Sequence, residues 1–410
     1  MEAAPVASVR ASATAAFRSR DFRLLWSGQT VSLVGDGAFL IALGWRTTAL
    51  TGKSSSLAIV LMVHGLALLT TLLIGGALAD RYSRRTLMIV SDLARCAVIA
   101  ALAGIDASGH LTFGILLAGA ALFGLGDGFF YPAFGGIVPL VVESPELASA
   151  NTLIGVSRQG AFVVGPALAG GIYGAAGSSS VFGFDAASFV VSAALLFLAR
   201  PRVFQRESSE GTLSEIAAGA RYVMSVPWLW IGIFVSAFVL MVAMAPYQAL
   251  LPKFVQGQFH RGVGSYGLLF AVQSLGMAAG TLLFGRVNPR RRRVIQIFGF
   301  LALNDLFVIG LALVPSFAAG AAFVTIRGVF IGYAITAWGT LLMEQVPESK
   351  LSRVTSLDFF GSSGLVPVGY ALTAVASSFA SPATILIAGF SLAFVLWSAP
   401  LASRTFREAA

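Results

Sequence analysis

Long apolar runs, repeated along the whole chain, constrain this sequence more than any other feature. About 20 consecutive apolar residues are needed to cross the hydrocarbon core of a bilayer. Twelve such runs occur, six on each side of a polar stretch at 201–226. They lie at about 24–50, 56–79, 86–106, 112–139, 150–174, 182–199, 228–251, 264–286, 294–314, 318–343, 354–378 and 383–402. The sequence therefore predicts an all-α membrane protein with twelve transmembrane helices in two six-helix bundles.

Basic residues indicate which side of the membrane each loop faces. With the N-terminus inside, 20 of the 27 Lys and Arg residues fall in inner segments and 3 in outer loops. Cytoplasmic loops carry the excess of Lys and Arg, so both termini are predicted to be cytoplasmic. This distribution favours a multi-pass protein of the bacterial inner membrane. The net charge of +9 is then explained by attraction to anionic lipid and not by binding of nucleic acid.

The polar stretch in the middle sets the predicted domain organisation. The predicted regions are a cytoplasmic segment (1–23), a first bundle (24–200), a linker (201–226), a second bundle (227–403) and a cytoplasmic tail (404–410). Thr212-Leu213-Ser214-Glu215 fits a capping box, which predicts a short surface helix in the linker. Glu143-Ser144 matches Glu348-Ser349 at an offset of 205 residues. Two further matches at 204 or 205 indicate duplication of a six-helix unit, a plan known from transporters.

The sharpest motif, Gly76-Ala-Leu-Ala-Asp80-Arg81-Tyr-Ser-Arg84-Arg85, lies at the inner end of the second span. It resembles the signature loop of the major facilitator superfamily, although Ser83 stands where the family usually has Gly. The resemblance implies a latch in which Asp80 lies against the start of the eleventh helix. A helix N-terminus favours a carboxylate by about 0.3–1 kcal/mol. Such a latch holds the two halves together when the site faces outward; the alternative is a basic anchor only.

A second motif, Gly165-Pro166-Ala-Leu-Ala169-Gly170-Gly171, lies in the fifth span. It resembles the Gly-Pro motif of the antiporter branches of the same superfamily, with Ala169 in place of one usual glycine. Pro166 removes one backbone hydrogen bond and bends the helix, and small residues allow close packing. The resemblance implies a kink near the interface between the halves and points to export. Ordinary small-residue packing is the alternative.

Shorter likenesses extend the resemblance over nearly the whole chain, most densely in the first half. They are Val31-Ser-Leu-Val-Gly35-Asp36-Gly, Ser91-Asp92-Leu-Ala-Arg95, Phe129-Phe130-Tyr131-Pro132-Ala133 and Phe184-Asp185-Ala-Ala-Ser188-Phe189. Together they are similar to the macrolide-efflux and siderophore-exporter branch. This resemblance implies a monomeric secondary transporter that exports hydrophobic or amphiphilic, drug-like small molecules by proton antiport with alternating access.

Two carboxyl groups within the spans are the predicted proton-coupling residues. Ionisable groups in a membrane are costly and are therefore functional candidates. Asp36 lies in the first span and Asp127 in the fourth, and in the resembled fold helices 1, 4, 7 and 10 line the central cavity. A carboxyl group in a low-dielectric cavity can exchange protons near neutral pH. A structural ion pair is the alternative for each.

Other charges within or beside the spans are interpreted individually. Asp92 and Arg95, at i and i+3, are expected to pair with each other or with the latch, and Asp358 is assigned to the same inner network. Arg327 is interpreted as a counter-charge or an anion contact, and Arg46 as a side chain that snorkels to the interface. The sequence assigns no role to Arg158, Asp185 and Asp305.

Aromatic, Met and polar side chains on the cavity helices are the predicted substrate contacts, because such side chains adapt to varied ligands. They are Phe129, Phe130, Tyr131, Met241, Met244, Tyr247, Gln248, Gln273, Arg327 and Trp338. For any single one, contact with lipid or packing between helices is the alternative.

The sequence contains no motif for covalent or metal chemistry. It has no Walker A sequence, no metalloprotease motif and no nucleophile elbow. Cys96 is single, and the three histidines lack the spacing of metal ligands. We therefore expect no enzyme activity, no metal and no cofactor, with the proton gradient as energy source. Two alternatives stay open: a dedicated exporter or flippase of one compound, such as a siderophore or lysophospholipid, and a non-transporting receptor or scaffold.

Overall fold

The protein is built from helices joined by short loops. The computed structural model describes residues 14–79, 81–202, 212–287 and 292–403. The helices are α1 (Arg20–Thr51), α2 (Ser55–Ala79), α3 (Arg84–Ala107), α4 (Phe113–Val141), α5 (Leu147–Leu198), α6 (Thr212–Ser225), α7 (Pro227–Val239), α8 (Ala245–Phe259), α9 (Val263–Val287), α10 (Arg293–Leu313), α11 (Phe317–Gln345), α12 (Glu348–Ser363), α13 (Val366–Ala376) and α14 (Pro382–Ala402). A π-helical turn, Leu240–Met244, joins α7 to α8. The predicted latch residue Asp80, the tail and parts of the N-terminal segment and linker lie outside the described residues.

Twelve membrane spans account for this element order. In the described residues, ten helical segments are long and apolar enough to cross a bilayer. One of them, Ser144–Leu198, contains two spans, because Gly177 has a φ of 79° and breaks α5 at the outer side. The 32-residue α1 supplies the twelfth span, although it carries several charges. The prediction of twelve transmembrane helices is confirmed, and the cytoplasmic position of both termini stays a prediction.

Helix ends follow from local side-chain chemistry. Short polar side chains accept hydrogen bonds from the free N–H groups of the first turn and so fix where a helix begins. At the starts of α1, α3, α4 and α14, a backbone N–H group of the first turn donates to the side-chain oxygen of the residue just before the helix. The donor–acceptor pairs are Phe22–Ser19, Thr86–Ser83, Ile115–Thr112 and Thr384–Ser381. At its outer end α1 stops at Gly52, whose φ of 66° is the left-handed conformation that favours glycine.

The two bundles repeat one close helix contact. In the first bundle α2 packs on α4, and in the second α9 packs on α11. Three glycines at corresponding positions serve each contact, because an added Cβ there would meet the backbone of the facing helix: Gly75, Gly124 and Gly128 in the first bundle, and Gly280, Gly328 and Gly332 in the second, where Gly276 adds a fourth. The paired positions differ by 205, 204 and 204 residues (280 − 75, 328 − 124, 332 − 128). These offsets equal those of the sequence matches between the halves.

The halves meet between mid-depth and the outer ends of their helices. α5 packs on α9, α2 packs on α13, and the outer end of α1 reaches α8 and α9. Trp45 stacks on Tyr266 with ring centroids 6.2 Å apart. A buried apolar cluster of Leu57, Ala58, Leu61, Ala245, Ala249 and Tyr370 seals the same side. The described conformation is therefore closed toward the outside.

Candidate functional site

A buried guanidinium lies at the centre of the first bundle. Arg95 of α3 donates from Nη1 to Oδ1 of Asp127 on α4, at 2.9 Å, and from Nη2 to Oδ1 of Asp92, one turn back on its own helix. The rings of Phe130 and Phe189 lie beside it, with centroids 4.2 and 4.5 Å from the Arg95 Cζ atom. Charge-assisted bonds and aromatic faces together hold a cation that water does not reach.

Polar side chains from three further helix segments complete this cluster, here called the Arg95 network (Gln29, His64, Asp92, Arg95, Asp127 and Ser192). The Ser192 hydroxyl donates to Oδ2 of Asp92 at 2.7 Å, and Nε2 of Gln29 donates to Ser192 at 2.9 Å. On the other side, Nε2 of His64 lies 3.0 Å from Oδ2 of Asp127. The network thus links α1, α2, α3, α4 and the second part of α5. A change in the charge of one member therefore acts on five helix segments.

Two more carboxyl groups lie beside the Arg95 network. Asp36 on α1 and Asp185 on α5 both interact electrostatically with Arg95, and each keeps one buried carboxyl oxygen without a hydrogen-bond partner. α1 passes over Asp185 at Gly35, where an added Cβ would lie 2.5 Å from the Asp185 Oδ1 atom. Four carboxyl groups therefore surround one guanidinium. If all four were ionised and His64 neutral, the group would hold three uncompensated negative charges.

The second bundle forms a partly open cavity of about 300 Å³. Its walls come from α7 with the π-helical turn, α10, α11, α12 and α14. Aromatic rings dominate toward the cytoplasmic end, and the charged Arg327 and Asp305 lie deeper, near the middle of their helices. Arg327 is 10 residues from the outer start of α11, or about 15 Å at 1.5 Å per residue. A volume of this size lies in the range of small-molecule sites.

Arg327 is held in the cavity wall by side chains of the same bundle. Its Nη1 donates to Oε1 of Gln273 at 2.7 Å, and the Tyr247 hydroxyl donates to the same oxygen at 3.0 Å. The ring of Tyr247 lies 4.4 Å from the Arg327 Cζ atom. On α10, Nδ2 of Asn304 donates to Oδ1 of Asp305 at 2.8 Å. The cavity therefore has a positioned cation on one helix and a positioned carboxyl group on another.

Sequence comparison identifies the family of this chain. A family model described as Major Facilitator Superfamily matches residues 25–368. The chain belongs to the major facilitator superfamily. This membership, together with the twelve apolar spans, makes it a multi-pass transporter protein of the bacterial inner membrane.

Relatives with curated functions match this superfamily member over nearly its full length. The enterobactin exporter EntS of Escherichia coli O139:H28 (strain E24377A / ETEC) is 29% identical over 395 residues, covering 92% of this chain and 91% of its own. EntS of Citrobacter koseri (strain ATCC BAA-895 / CDC 4225-83 / SGSC4696) is 29% identical over 398 residues, with the same coverage.

Solved structures share the fold of this superfamily member at low sequence identity. The nucleoside transporter NupG aligns with a TM-score of 0.73 and 11% identity, covering 95% of this chain and 99% of its own. A bacterial homologue of the iron transporter ferroportin, in an inward-facing state, aligns with a TM-score of 0.70 and 15% identity, covering 92% and 98%. Both support the fold and say nothing of the substrate.

The predicted proton-coupling residues of this superfamily member share one site. Asp127 forms an ion pair with Arg95 and lies within hydrogen-bond distance of His64, which is the structural alternative to proton coupling and is compatible with it. Asp36 lies beside the same network without a salt bridge among the described residues. His64 is not among the candidate site residues predicted from the sequence. Its one indication of a role is a titratable side chain in the middle of the second span.

The predicted substrate contacts divide between several places. Met244, Arg327 and Trp338 line the cavity of the second bundle, and Tyr247 and Gln273 hold Arg327. Elsewhere, the Phe130 ring lies on Arg95, and the hydroxyl of Tyr370 donates to Gln248. Phe129, Tyr131 and Met241 do not line this cavity. Phe129 packs on Gly75 of α2, the Tyr131 side chain is half exposed, and Met241 lies on the opposite side of the π-helical turn, near Gly369.

Two predicted roles need correction. Asp358 accepts a hydrogen bond of 3.0 Å from Nε1 of Trp338 and lines the cavity, so it belongs to the second bundle and not to the Asp92–Arg95 cluster. Arg46 does not merely snorkel. It forms a salt bridge of 2.7 Å with Asp106, whose other oxygen accepts from Ser178, because the outer ends of α1, α3 and α5 converge there.

The basic residues of the predicted latch contact their own bundle in this conformation. Nη1 of Arg84 donates to the carbonyl of Gly136 at 2.5 Å, and Nε of Arg85 donates to the carbonyl of Leu196 at 2.8 Å. The Arg81 side chain is exposed, and Gly76 has open space around its Cα atom. Because Asp80 lies outside the described residues, the latch stays a prediction.

The predicted kink lies where α5 meets both α1 and the other half. An added Cβ at Gly165 would lie 2.9 Å from Cα of Gly37 on α1. The carbonyl of Pro166 faces Gly267 of α9, and an added Cβ at Gly170 would lie 3.0 Å from Cα of Gly264. The glycines thus allow three backbones to approach closely, and Pro166 lies at the interface between the halves.

Proposed function

We propose that the chain is an exporter of amphiphilic small molecules that is driven by proton entry through the Arg95 network. One observation supports this more than any other: the single buried guanidinium of Arg95 pairs with Asp92 and Asp127, His64 contacts Asp127, and two further carboxyl groups interact electrostatically with Arg95. An uncompensated charge in a low-dielectric interior is costly, and such groups take up protons instead. Proton exchange at Asp127 or Asp36 is the simplest way for this cluster to change its charge.

A proton at this cluster changes the contacts between helices. When Asp127 is ionised, it joins α4 to α3 through Arg95 and to α2 through His64. Protonation of Asp127 weakens both bonds, because each is charge-assisted. The two halves of such transporters rock about a fixed central site. We propose that the charge of the Arg95 network sets which of the two orientations the first bundle favours.

The test is a vesicle assay with three probes of different charge. Ethidium, chloramphenicol and salicylate represent a lipophilic cation, a neutral compound and an acid. We expect inside-out vesicles with an imposed proton gradient to accumulate at least one of them. Asp127→Asn and Asp36→Asn are expected to reduce that accumulation at least about tenfold, the effect of losing roughly 1.4 kcal/mol of coupling. Glu344→Gln is the matched carboxyl control, because Glu344 also pairs with a buried arginine, Arg293, but lies at the inner end of α11, outside the Arg95 network. Full proton-dependent uptake in both aspartate variants would refute the proposed role of the network.

A second candidate function is export of one physiological compound by a dedicated carrier. The matches to enterobactin exporters favour it over broad drug efflux. A deletion strain of the source bacterium separates the two. Retention of one metabolite in the cells, with unchanged sensitivity to toxic compounds, supports the dedicated exporter. Increased sensitivity to several unrelated compounds supports broad efflux.

A disulfide between the two halves is expected to block transport, because alternating access requires the halves to separate where they now meet. An added Cβ at Gly65 of α2 would lie 3.9 Å from Cβ of Pro367 at α13, within the usual Cβ–Cβ range for a disulfide. In a Cys96→Ser background, Gly65→Cys with Pro367→Cys is expected to oxidise readily. We expect the oxidised protein to lose transport and to recover it in dithiothreitol, because the outer side can then reopen. The single variants are the controls. Transport by the oxidised double variant at the wild-type rate would mean that the halves do not separate there.

A further inference from the structure

The cavity of the second bundle contains polar atoms whose hydrogen-bonding capacity the protein does not satisfy. In its wall Nε of Arg327, Oδ2 of Asp305 and Oδ1 of Asn304 are buried and lack a partner. Arg327 and Asp305 are each 1% exposed, and no salt bridge joins them in the described part of the chain. Most buried polar groups in proteins are hydrogen-bonded. Three unpaired atoms around one cavity therefore indicate a missing ligand.

We infer that this cavity binds an aromatic compound that carries an anionic hydrogen-bond acceptor beside a hydroxyl or amide donor. The inference deepens the proposed function, because it names the class of substrate that this exporter takes. We expect the acceptor group of the ligand to bind Arg327 and its donor group to bind Asp305 and Asn304.

Arg327 is oriented to meet an acceptor. Its Nη1 is occupied by Gln273, and its Nη2 lies 3.5 Å from the Met244 sulfur atom. Tyr247 covers one face of the guanidinium. These contacts fix the plane of the group and leave Nε free, and an arginine cation in an apolar site prefers an anionic oxygen.

Asp305 and Asn304 are oriented to meet a donor. The Asn304 amide nitrogen donates to Oδ1 of Asp305, which orients both side chains. With the Asp305 carboxyl group ionised, the two oxygens that remain, one on each residue, accept only. A simple anion would leave both unsatisfied, and a simple hydrocarbon would satisfy none of the three atoms. A ligand with adjacent acceptor and donor groups matches all three.

The remaining wall favours aromatic rings. Phe298, Trp338, Phe390 and Trp397 line the cavity. Trp338 is fixed by its bond to Asp358, and its ring lies against Gly232, where a larger residue would displace it. A cavity of about 150 Å³ is known to hold benzene. The cavity here has about 300 Å³, which is room for a substituted ring or for two fused rings.

Binding of labelled salicylate to the purified protein in nanodiscs, without a proton gradient, tests the inference. Salicylate carries a carboxylate beside a hydroxyl group on one ring. Benzoate lacks the hydroxyl group, and phenol lacks the anion. We expect salicylate to bind, and benzoate and phenol to compete at least about tenfold more weakly, which corresponds to the loss of one good polar contact.

Variants on the two sides of the cavity locate the site. Arg327→Lys keeps the charge but lacks Nε, and Asp305→Asn replaces an acceptor oxygen by a donor. Each is expected to weaken salicylate binding at least about tenfold, whereas Glu344→Gln, elsewhere on α11, is expected to bind like the wild type. Size-exclusion profiles confirm folding. If Arg327→Lys does not fold, salicylate binding by Asp305→Asn alone tests the inference.

The possible results separate the inference from the proposed function. Wild-type protein that binds none of the three probes, or folded variants that bind salicylate like the wild type, would overturn the inference. Because the binding assay has no gradient, proton coupling does not affect it. Protein that binds salicylate at this cavity but shows no proton-linked uptake would refute the proposed coupling and leave the ligand site standing.

Discussion

Arg95→Met is expected to lower the free energy of unfolding by about 3–5 kcal/mol, the usual cost of removing one partner of a buried ion pair. The change leaves Asp92 and Asp127, both almost fully buried, without their common cation. It also removes the cation that Phe130 and Phe189 enclose. Thermal unfolding in detergent, followed by tryptophan fluorescence, measures the effect. We expect transport to be lost as well.

A second substitution separates the charge effect from the packing effect. In Arg95→Met with Asp127→Asn, one of the two unpaired carboxylates is neutral, so part of the lost stability is expected to return. Arg20→Met is the matched control, because Arg20 also pairs with an aspartate, Asp21, but its side chain is 61% exposed. Partly exposed ion pairs contribute only about 0–1 kcal/mol. Equal losses in Arg95→Met and Arg20→Met, or no recovery in the double variant, would contradict a central role for the Arg95 network.

Features that depend on one helix or one loop were predictable from the sequence. The number of spans follows from apolar length, and the orientation follows from the distribution of basic residues. Asp92 and Arg95 pair as their i, i+3 spacing indicates. Arg327 and Asp127 were selected because a charge in the middle of a span is costly unless it has a partner or a function.

Features that depend on the rotation of one helix against another were not predictable. His64, Gln29 and Ser192 join the Arg95 network from three other helix segments, and no spacing in the sequence connects them. For the same reason the cavity inside the second bundle was not foreseen. Asp358 lies near the inner ends in sequence, but its side chain faces Trp338 within its own bundle. Helices that are apolar on all sides give little indication of which face turns inward.

Gly328→Val is expected to lower the free energy of unfolding by about 1–3 kcal/mol, the usual cost of overpacking. Its Cβ would collide with the backbone carbonyl of Gln273 on α9 and would lie 3.0 Å from the backbone nitrogen of Met277. Backbone atoms of a packed helix cannot move aside as a flexible side chain can. α9 and α11 must therefore separate. Because Gln273 holds Nη1 of Arg327, we also expect the separation to disturb the cavity and weaken salicylate binding.

Gly339→Val is the control on the same helix, since an added Cβ at Gly339 meets nothing within 4 Å. It shares the change in helix propensity, so the difference between the two variants isolates the collision. Thermal unfolding and salicylate binding of both variants, measured in parallel, give that difference. Equal stability and equal binding would mean that α9 and α11 do not depend on glycine for their close approach. Small residues set the distance at which membrane helices pack. A loss of stability and of salicylate binding in Gly328→Val alone would therefore show that the repeated glycine contact also fixes the position of Arg327.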